Sequence, residues 1–290
     1  SIAQGTTVVM VGDSDQLPSV GPGTFLADMI MSGRAKVTHL TQIYRQKEGS
    51  RIITNAHAVN AGRLPDISPV PKNALTDFYW IEQDEPDQVL KTISDMVRDR
   101  IPVRFGFNPM QDIQVLSPMN RGSCGTVALN KLLQSELNPD DKHRFHFTFG
   151  DMIYRSGDRV MQTSNNYDKG VFNGDMGRIA SIMHQDKKFR VAFEGNMVDY
   201  DFIEADQLNL AYAITVHKSQ GSEFPAVIIP LLPQHFMMLQ KNLLYTGMTR
   251  AKKLLVIIGS KKALSMAVNN SRLEPRFSML LERLKGTPVP

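Results

Sequence analysis

An α/β fold built on a parallel sheet and interrupted by a small antiparallel β module is predicted by three features of the chain. Short apolar runs rich in β-branched residues alternate with amphipathic stretches up to about residue 137. From 147 to 210 the rhythm changes to short extended runs and tight turns, with no convincing helix. The alternation then returns and runs to the C-terminus. Alternating strand and helix signals imply a parallel sheet with helices on both faces, so the β-rich stretch is an insertion with α/β structure on either side.

The elements follow in order. TTVVMVG (6–12) is a short β-branched run ended by Gly12, the mark of a buried parallel strand. GTFLADMIMSG (23–33) predicts a short helix closed by Gly33, and 36–40 a further strand. Ile52, Ile53, Ala56 and Val59 have helical spacing in a stretch that stops at Gly62 and Pro65. DFYWIE (77–82) reads as a strand, and 86–100 as a helix with Val89, Ile93, Met96 and Val97 on one face. DIQVLSP (112–118) is a strand and 122–137 a helix with an apolar stripe. In the insertion, 158–163, 175–184, 189–194 and 197–203 are extended, with turn chemistry at Phe172–Asn173–Gly174–Asp175 and Glu194–Gly195–Asn196. The α/β pattern resumes with AYAITVHKSQG, the strand AVIIPLL (226–232), a helix around 236–251, the strand LLVIIG (254–259) and two terminal helices.

Composition sets limits on function. The 290 residues suffice for one large or two ordinary domains, and no apolar run is long enough to span a bilayer. The opening SIAQGTTVVMVG lacks the basic start and small-residue cleavage site of a secretion signal. The single cysteine, Cys124, excludes an internal disulfide, and a reducing, cytoplasmic setting is expected. In GSCGTVALN it reads as a small residue near a helix start rather than a nucleophile. The seven histidines have no metal-ligand spacing, so no metal site is expected. A net charge of +4 permits nucleic-acid binding without arguing for it, and pairs such as Lys252–Lys253 read as solvated charge.

Four polar motifs carry the chemistry. In VGDSDQLPSVGPG (11–23), Asp13 and Gln16 lie on a loop that would leave a strand at its carboxyl end, where open α/β sheets bind ligands. Gln16 can accept from or donate to a phosphate oxygen or a water, although a Pro/Gly-rich turn with solvated polar residues fits the segment too. In LTQIYRQ (40–46), Arg45 suits bidentate phosphate contact, and in isolation equally suits a surface arginine. TVHKSQGSEF (215–224) crowds Thr215, His217, Lys218, Ser219, Gln220 and Glu223 behind an apolar strand, with many possible contacts to a phosphodiester backbone. A capped helix start is the plainer alternative. In LLYTGMTRAKK (243–253), Tyr245, Thr249 and Arg250 lie in or at the end of a helix feeding the last strand. An arginine there can reach across a cleft to a γ-phosphate, or simply balance the helix dipole. The chain contains no GxxxxGK[ST] loop to hold phosphates, and no Asp–Glu pair after an apolar strand to hold magnesium.

Taken in order, these segments resemble the later motifs of superfamily 1 DNA helicases of the RecD-like branch, the α subunit of exodeoxyribonuclease V and its stand-alone relatives. GDSDQLP resembles motif III, YRQ motif IV, TVHKSQGSEF motif V and YTGMTRAKK motif VI. SPMNRGSCGTVALNKLLQ (117–134) resembles the segment leading into that family's inserted module, and 157–179 its SH3-like insertion. The resemblance covers essentially the whole chain. It implies RecA-like (P-loop NTPase type) parallel-sheet domains with an inserted small SH3-like β-barrel. Residues 1–40 would be the tail of the first RecA-like domain, 41–146 the first part of the second, 147–210 the insertion and 211–290 the remainder.

By motif match, Gln16, Arg45 and Arg250 are the expected catalytic residues. Gln16 would sense the γ-phosphate, and Arg45 and Arg250 would stabilise charge on it. Asp13 and Glu223 would join them in nucleotide binding, and Asn120, Arg121, Thr215, His217 and Lys218 would contact DNA. The implied function is ATP-dependent 5′-to-3′ translocation on single-stranded DNA in recombination or repair. ATP and Mg2+ would serve the full-length parent, with neither tightly bound to these residues alone. Single-stranded DNA and the nuclease and helicase subunits of an exodeoxyribonuclease V complex are the expected partners, with no membrane. The phosphate-binding lysine and the magnesium carboxylates lie upstream in the family, so these residues alone are expected not to turn over ATP. The alternatives are a non-motor nucleic-acid-binding or subunit-docking module, which would not need Gln16, Arg45, Glu223 and Arg250 together, and an unrelated P-loop kinase, which the missing loop disfavours.

Overall fold

The computed structural model describes residues 3, 5–18, 21, 23–40, 49–71, 74–141, 145–271 and 278–286. Helix α1 (Phe25–Ser32) ends at Gly33, whose φ of 66° gives the left-handed cap that lets the chain turn away. Helix α2 (Arg51–Asn60) begins at Ser50, whose side chain accepts from the Ile53 amide, and buries Ile52, Ala56 and Val59. Strand β1 (Phe78–Glu82) leads to α3 (Pro86–Asp95), which buries Val89 and Ile93. The predicted helix does not stop at Arg100. A π-helical turn (Met96–Arg100) passes the chain into α4 (Ile101–Phe105). Pro102 has no N–H and crowds the carbonyl one turn back. The wider turn, in which the Ile101 amide reaches the Met96 carbonyl, makes room for it.

Strand β2 (Ile113–Ser117) is buried throughout and is followed by α5 (Thr126–Leu137). The β module comprises β3 (His146–Phe149), β4 (Met152–Arg155), β5 (Arg159–Gln162), β6 (Met176–Met183), β7 (Lys188–Phe193), β8 (Asn196–Asp201) and β9 (Leu208–Leu210). Beyond it come β10 (Ala213–Thr215), β11 (Phe224–Leu231), α6 (Lys241–Met248), β12 (Ala251–Gly259), α7 (Lys261–Asn269) and α8 (Leu280–Lys285). The helix expected around 236–251 is thus split: a 3-10 turn (Pro233–Met238) precedes α6, and β12 starts at Ala251 because that residue already pairs with Phe224.

The principal sheet has the order β1-β12-β11-β2-β10, and every pair in it is parallel. Alternate residues of β11 feed two cores. Val227, Ile229 and Leu231 pack with α2, α6 and α7 on one face, while Ala226 and Ile228 pack with α3, α5 and the module on the other. The chain is therefore α/β, as its sequence predicts. The module is antiparallel, with order β8-β7-β6-β5-β9 and a β3-β4 hairpin. Phe147 sits at its centre, 4.3 Å from the Phe202 ring and 4.9 Å from the Phe189 ring.

Two expected strands do not form. Residues 6–12 have no strand partner among the described residues and lie exposed, Val9 at 79% and Val11 at 89%. Residues 36–40 are also outside any strand, with Leu40 at 89% exposure. β-branched composition records that a segment suits a pleated, half-buried place. A ladder partner must satisfy its backbone, and the described residues supply none.

A polar seam joins the module to the principal sheet. Buried Asp158 accepts from Gln134 Nε2 (2.6 Å) and the Arg155 amide (2.7 Å) on one oxygen, and from Asn138 Nδ2 (2.7 Å) and the Tyr212 hydroxyl (2.8 Å) on the other. Next to it, Arg159 donates to the Ile113 carbonyl (2.8 Å) and Gln114 Oε1 (2.6 Å). Burial brings its guanidinium down to about 10, the pKa direction expected of a desolvated cation. Asn130 and Gln134 on α5 and Asn138 at its C-cap fall at four-residue spacing and face the seam as one row. Asn130 donates to the Leu210 and Ala213 carbonyls and accepts from the Ala213 amide.

Candidate functional site

Helix α6 and the loop at 12–18 build the first half of the site. The loop has no regular structure of its own, and its described contacts to the rest of the chain fix where it lies. The Leu17 amide donates to Thr246 Oγ1 (2.8 Å), the Tyr245 hydroxyl donates to Asp13 Oδ2 (3.2 Å), and Asn60 Nδ2 donates to Asp15 Oδ2 (2.8 Å). Arg250, two residues beyond the end of α6, is 6% exposed. Its Nη2 donates to Gln16 Oε1 (3.0 Å), its Nη1 to the Ser222 carbonyl (3.1 Å) and its Nε to the Thr246 carbonyl (3.1 Å). Gln16 Nε2 donates to Asp13 Oδ2 (3.0 Å), the oxygen that Tyr245 also meets. Half-burial, reinforced by the Asp13 charge, raises the Tyr245 phenol well above its ordinary value, so it stays protonated and serves as a donor.

Thus Asp13, Gln16 and Arg250, which lie up to 237 positions apart in sequence numbering, converge. Glu223 follows the Ser222 carbonyl that accepts from Arg250, and its carboxylate pairs with Lys252 at 3.4 Å. Arg45 lies outside the described residues. Gln16 leaves no strand, contrary to expectation, because 6–12 does not enter a sheet; the loop is held from the side by α6 instead. Sequence reasoning gave Tyr245 no role and missed Thr246 and Asn60. A hydroxyl pair directly before a Gly-x-Thr-Arg run was the available signal.

The second half lies at the carboxyl ends of β2 and β10, neighbouring parallel strands in which Ser117 stands opposite Thr215. The loop after β2 is tightly folded. Ser117 Oγ donates to the Met119 (3.0 Å) and Cys124 (2.7 Å) carbonyls, and Thr126 Oγ1 donates to Asn120 Oδ1 (3.0 Å). Gly125 makes this possible, since a Cβ there would stand 2.5 Å from the Asn120 carbonyl oxygen. Asn120 and Arg121 are left exposed at the tip. After β10, Thr215 is buried and its hydroxyl accepts from the Lys218 amide (3.2 Å), shaping a 3-10 turn (His217–Ser219). His217 is half-buried, and partial burial lowers the Lys218 ammonium from its ordinary value. The loops carrying Asn120, Arg121, His217 and Lys218 therefore share one sheet edge, with Thr215 beneath.

One segment links the two halves. From Thr215, at the carboxyl edge, the chain runs back to Phe224, opposite Ala251 at the amino edge. On the way Gln220 Nε2 donates to the Leu17 carbonyl (2.6 Å), and the Ser222 carbonyl accepts from Arg250. Gly221, with φ of 81°, turns the chain between them.

Other candidates are structural. Cys124 is buried, and burial pushes its thiol up to about 11, with Asp87 adding to the shift, which removes nucleophilic character at neutral pH. Asp199 forms a two-pronged surface pair with Arg190, at 2.6 and 2.8 Å. Among the described residues no cluster of His, Cys, Asp and Glu could hold a metal, and no helix is long and apolar enough to cross a membrane.

Comparison with known proteins matches three family models: an AAA domain over 1–75, the SH3 domain of ATP-dependent RecD-like DNA helicases over 129–193, and the UvrD-like helicase C-terminal domain over 210–258. The ATP-dependent RecD2 DNA helicase of Deinococcus radiodurans is 35% identical over 286 residues, covering 99% of this chain and 37% of the relative. The RecBCD enzyme subunit RecD of Buchnera aphidicola is 26% identical over 309 residues, covering 90% of this chain and 50% of the relative. Among solved structures, the Pif1 helicase from Bacteroides in complex with ADP-AlF3 and ssDNA aligns with a TM-score of 0.48 at 18% identity, covering 85% of this chain and 60% of that one.

Proposed function

The chain belongs to the RecD-like helicase family, spanning about a third to a half of the length of these curated relatives, and on that premise we propose that it is the C-terminal part of an ATP-dependent DNA helicase. Residues 1 to about 40 are the tail of a first RecA-like domain, 41–146 and 211–290 make up the second, and 147–210 are an SH3-like insertion. The parent moves 5′ to 3′ on single-stranded DNA in the cytoplasm, alone or with the nuclease and helicase subunits of an exodeoxyribonuclease V complex. The observation that carries this reading is the contact between Arg250 and Gln16, which ties the loop of one proposed domain to the helix of the other. A non-motor binding module would have no use for that contact.

In this reading Arg250 and Arg45 stabilise charge developing on the γ-phosphate, and Gln16 senses that phosphate. Asp13 and Glu223 shape the nucleotide's surroundings. Magnesium and the β-phosphate are held by residues that this chain does not contain, since it has neither the phosphate loop nor the Asp–Glu pair. When bound, the metal neutralises phosphate charge in transfer. Accordingly, the purified 290-residue chain is expected to release no phosphate above background from Mg–ATP with single-stranded DNA present, whereas the full-length protein turns over. Magnesium-dependent turnover by the chain itself would refute this.

Asn120, Arg121, His217 and Lys218 hold the DNA backbone, with Thr215 setting the turn. Fluorescence anisotropy with a labelled single-stranded oligonucleotide should report salt-sensitive binding by the chain, weakened by Arg121→Ala and by His217→Ala. Loss of the Arg121 phosphate contact should also reduce the slope of log K against log salt by about 1. Binding unaffected by both substitutions would place the DNA elsewhere.

A further inference from the structure

We infer that Tyr245 is a positioning residue for nucleotide sensing, acting through Asp13 to fix the orientation of the Gln16 amide against Arg250. The inference rests on the nucleotide-site reading above and adds to it two residues and a direction of control.

Hydrogen-bond chemistry leaves the Gln16 amide one favourable orientation. A guanidinium only donates, so Arg250 must meet the amide oxygen; an ionised carboxylate only accepts, so Asp13 must meet the amide nitrogen. A flipped amide would set N–H against N–H on one side and oxygen against oxygen on the other. The orientation is therefore only as firm as Asp13, whose two oxygens are both engaged. Oδ1 accepts from the Asp15 amide (3.0 Å), which holds the carboxylate to its own loop, and Oδ2 accepts from Gln16 and from Tyr245. Of these three contacts, only the Tyr245 hydroxyl comes from outside the loop.

Tyr245 is also placed to transmit position. It precedes Thr246, whose hydroxyl accepts from the Leu17 amide and whose carbonyl accepts from Arg250. One turn of α6 thus holds Asp13, Leu17 and Arg250 together. A displacement of α6 shifts the polar end of Gln16 and the guanidinium together, and losing the hydroxyl lets the amide rotate independently of Arg250.

The test is steady-state ATP turnover by the full-length protein at saturating single-stranded DNA. Tyr245→Phe keeps the ring and removes the one donor. It should lower kcat by about tenfold, the worth of one hydrogen bond to a charged acceptor, with KM for ATP within about twofold of wild type. Asp13→Ala should lower kcat at least as far, and adding Tyr245→Phe to it should lower kcat no further. In a Gln16→Ala background, Tyr245→Phe should change kcat by less than about twofold, because the group it orients is gone. Unchanged kcat in Tyr245→Phe, an equal loss in both backgrounds, or a change confined to KM would overturn the inference while leaving the site reading intact. Wild-type kcat in Gln16→Ala would overturn both.

Discussion

Replacing Arg250 by alanine in the full-length protein is expected to cut DNA-stimulated ATP turnover by about 10³-fold or more, the range that a transition-state arginine supplies. Arg250 is a buried cation whose partners include two carbonyls, the Gln16 amide and the Thr249 hydroxyl, and these contacts hold its guanidinium against the loop that carries Gln16. Arg250→Lys should recover little, because an ammonium cannot reach Gln16, Ser222 and Thr246 from one planar fork. Binding to single-stranded DNA should persist, since Asn120, Arg121 and His217 follow the carboxyl ends of β2 and β10 whereas Arg250 stands at the amino end of β12. A variant that loses DNA binding and turnover in parallel would point to misfolding, and one that keeps its kcat would remove Arg250 from the chemistry.

The second large effect falls on stability. Asp158→Ala should destabilise the chain by about 3–5 kcal/mol, read from the urea midpoint, because it strands several buried donors at once. Gln134, Asn138, Tyr212 and the Arg155 amide all point at this carboxylate. The pH dependence has a definite sign. Burial raises the Asp158 pKa above its ordinary value, and the hydrogen bonds offset part of that rise. A carboxyl whose folded pKa is raised contributes stability below the unfolded pKa and loses it as pH climbs through the folded value. The wild-type chain therefore carries an ionisation cost at neutral pH that Asp158→Ala lacks, so the gap between the two should be larger in mild acid than at pH 7. A gap below about 1 kcal/mol at every pH would mean that water replaces the lost carboxylate.

How much of this was legible in the sequence depended on whether the cause was local. Helices α2, α3 and α5 were found because their apolar spacing states which face is buried, whatever it packs against. The strand expected at 6–12 failed because β-branched composition carries no information about a partner, and Val9 and Val11 lie exposed. The π turn before Pro102 was missed because the proline announces a conflict without saying how the backbone resolves it. At the candidate site, Gln16 and Arg250 were singled out from their motifs, and the structure brings the two side chains together. Their mutual contact, and the Tyr245–Asp13 pair behind it, depend on α6 meeting a distant loop, which no local pattern records.

The seam between module and sheet bears on how such a chain can be assembled. The Ala211 amide donates to the Arg159 carbonyl at 2.9 Å, so the strand that leaves the module lies against the first strand of its sheet. The principal sheet keeps β2 beside β10 as if nothing intervened between them. In topological terms the module is a side branch with a closed neck, and lengthening or exchanging it need not disturb the order of the parent strands. What must be kept is the neck itself: a row of amides on one helix, one buried acid and one buried base. A domain grafted onto this scaffold would succeed or fail on those few polar groups rather than on the shape of what it brings.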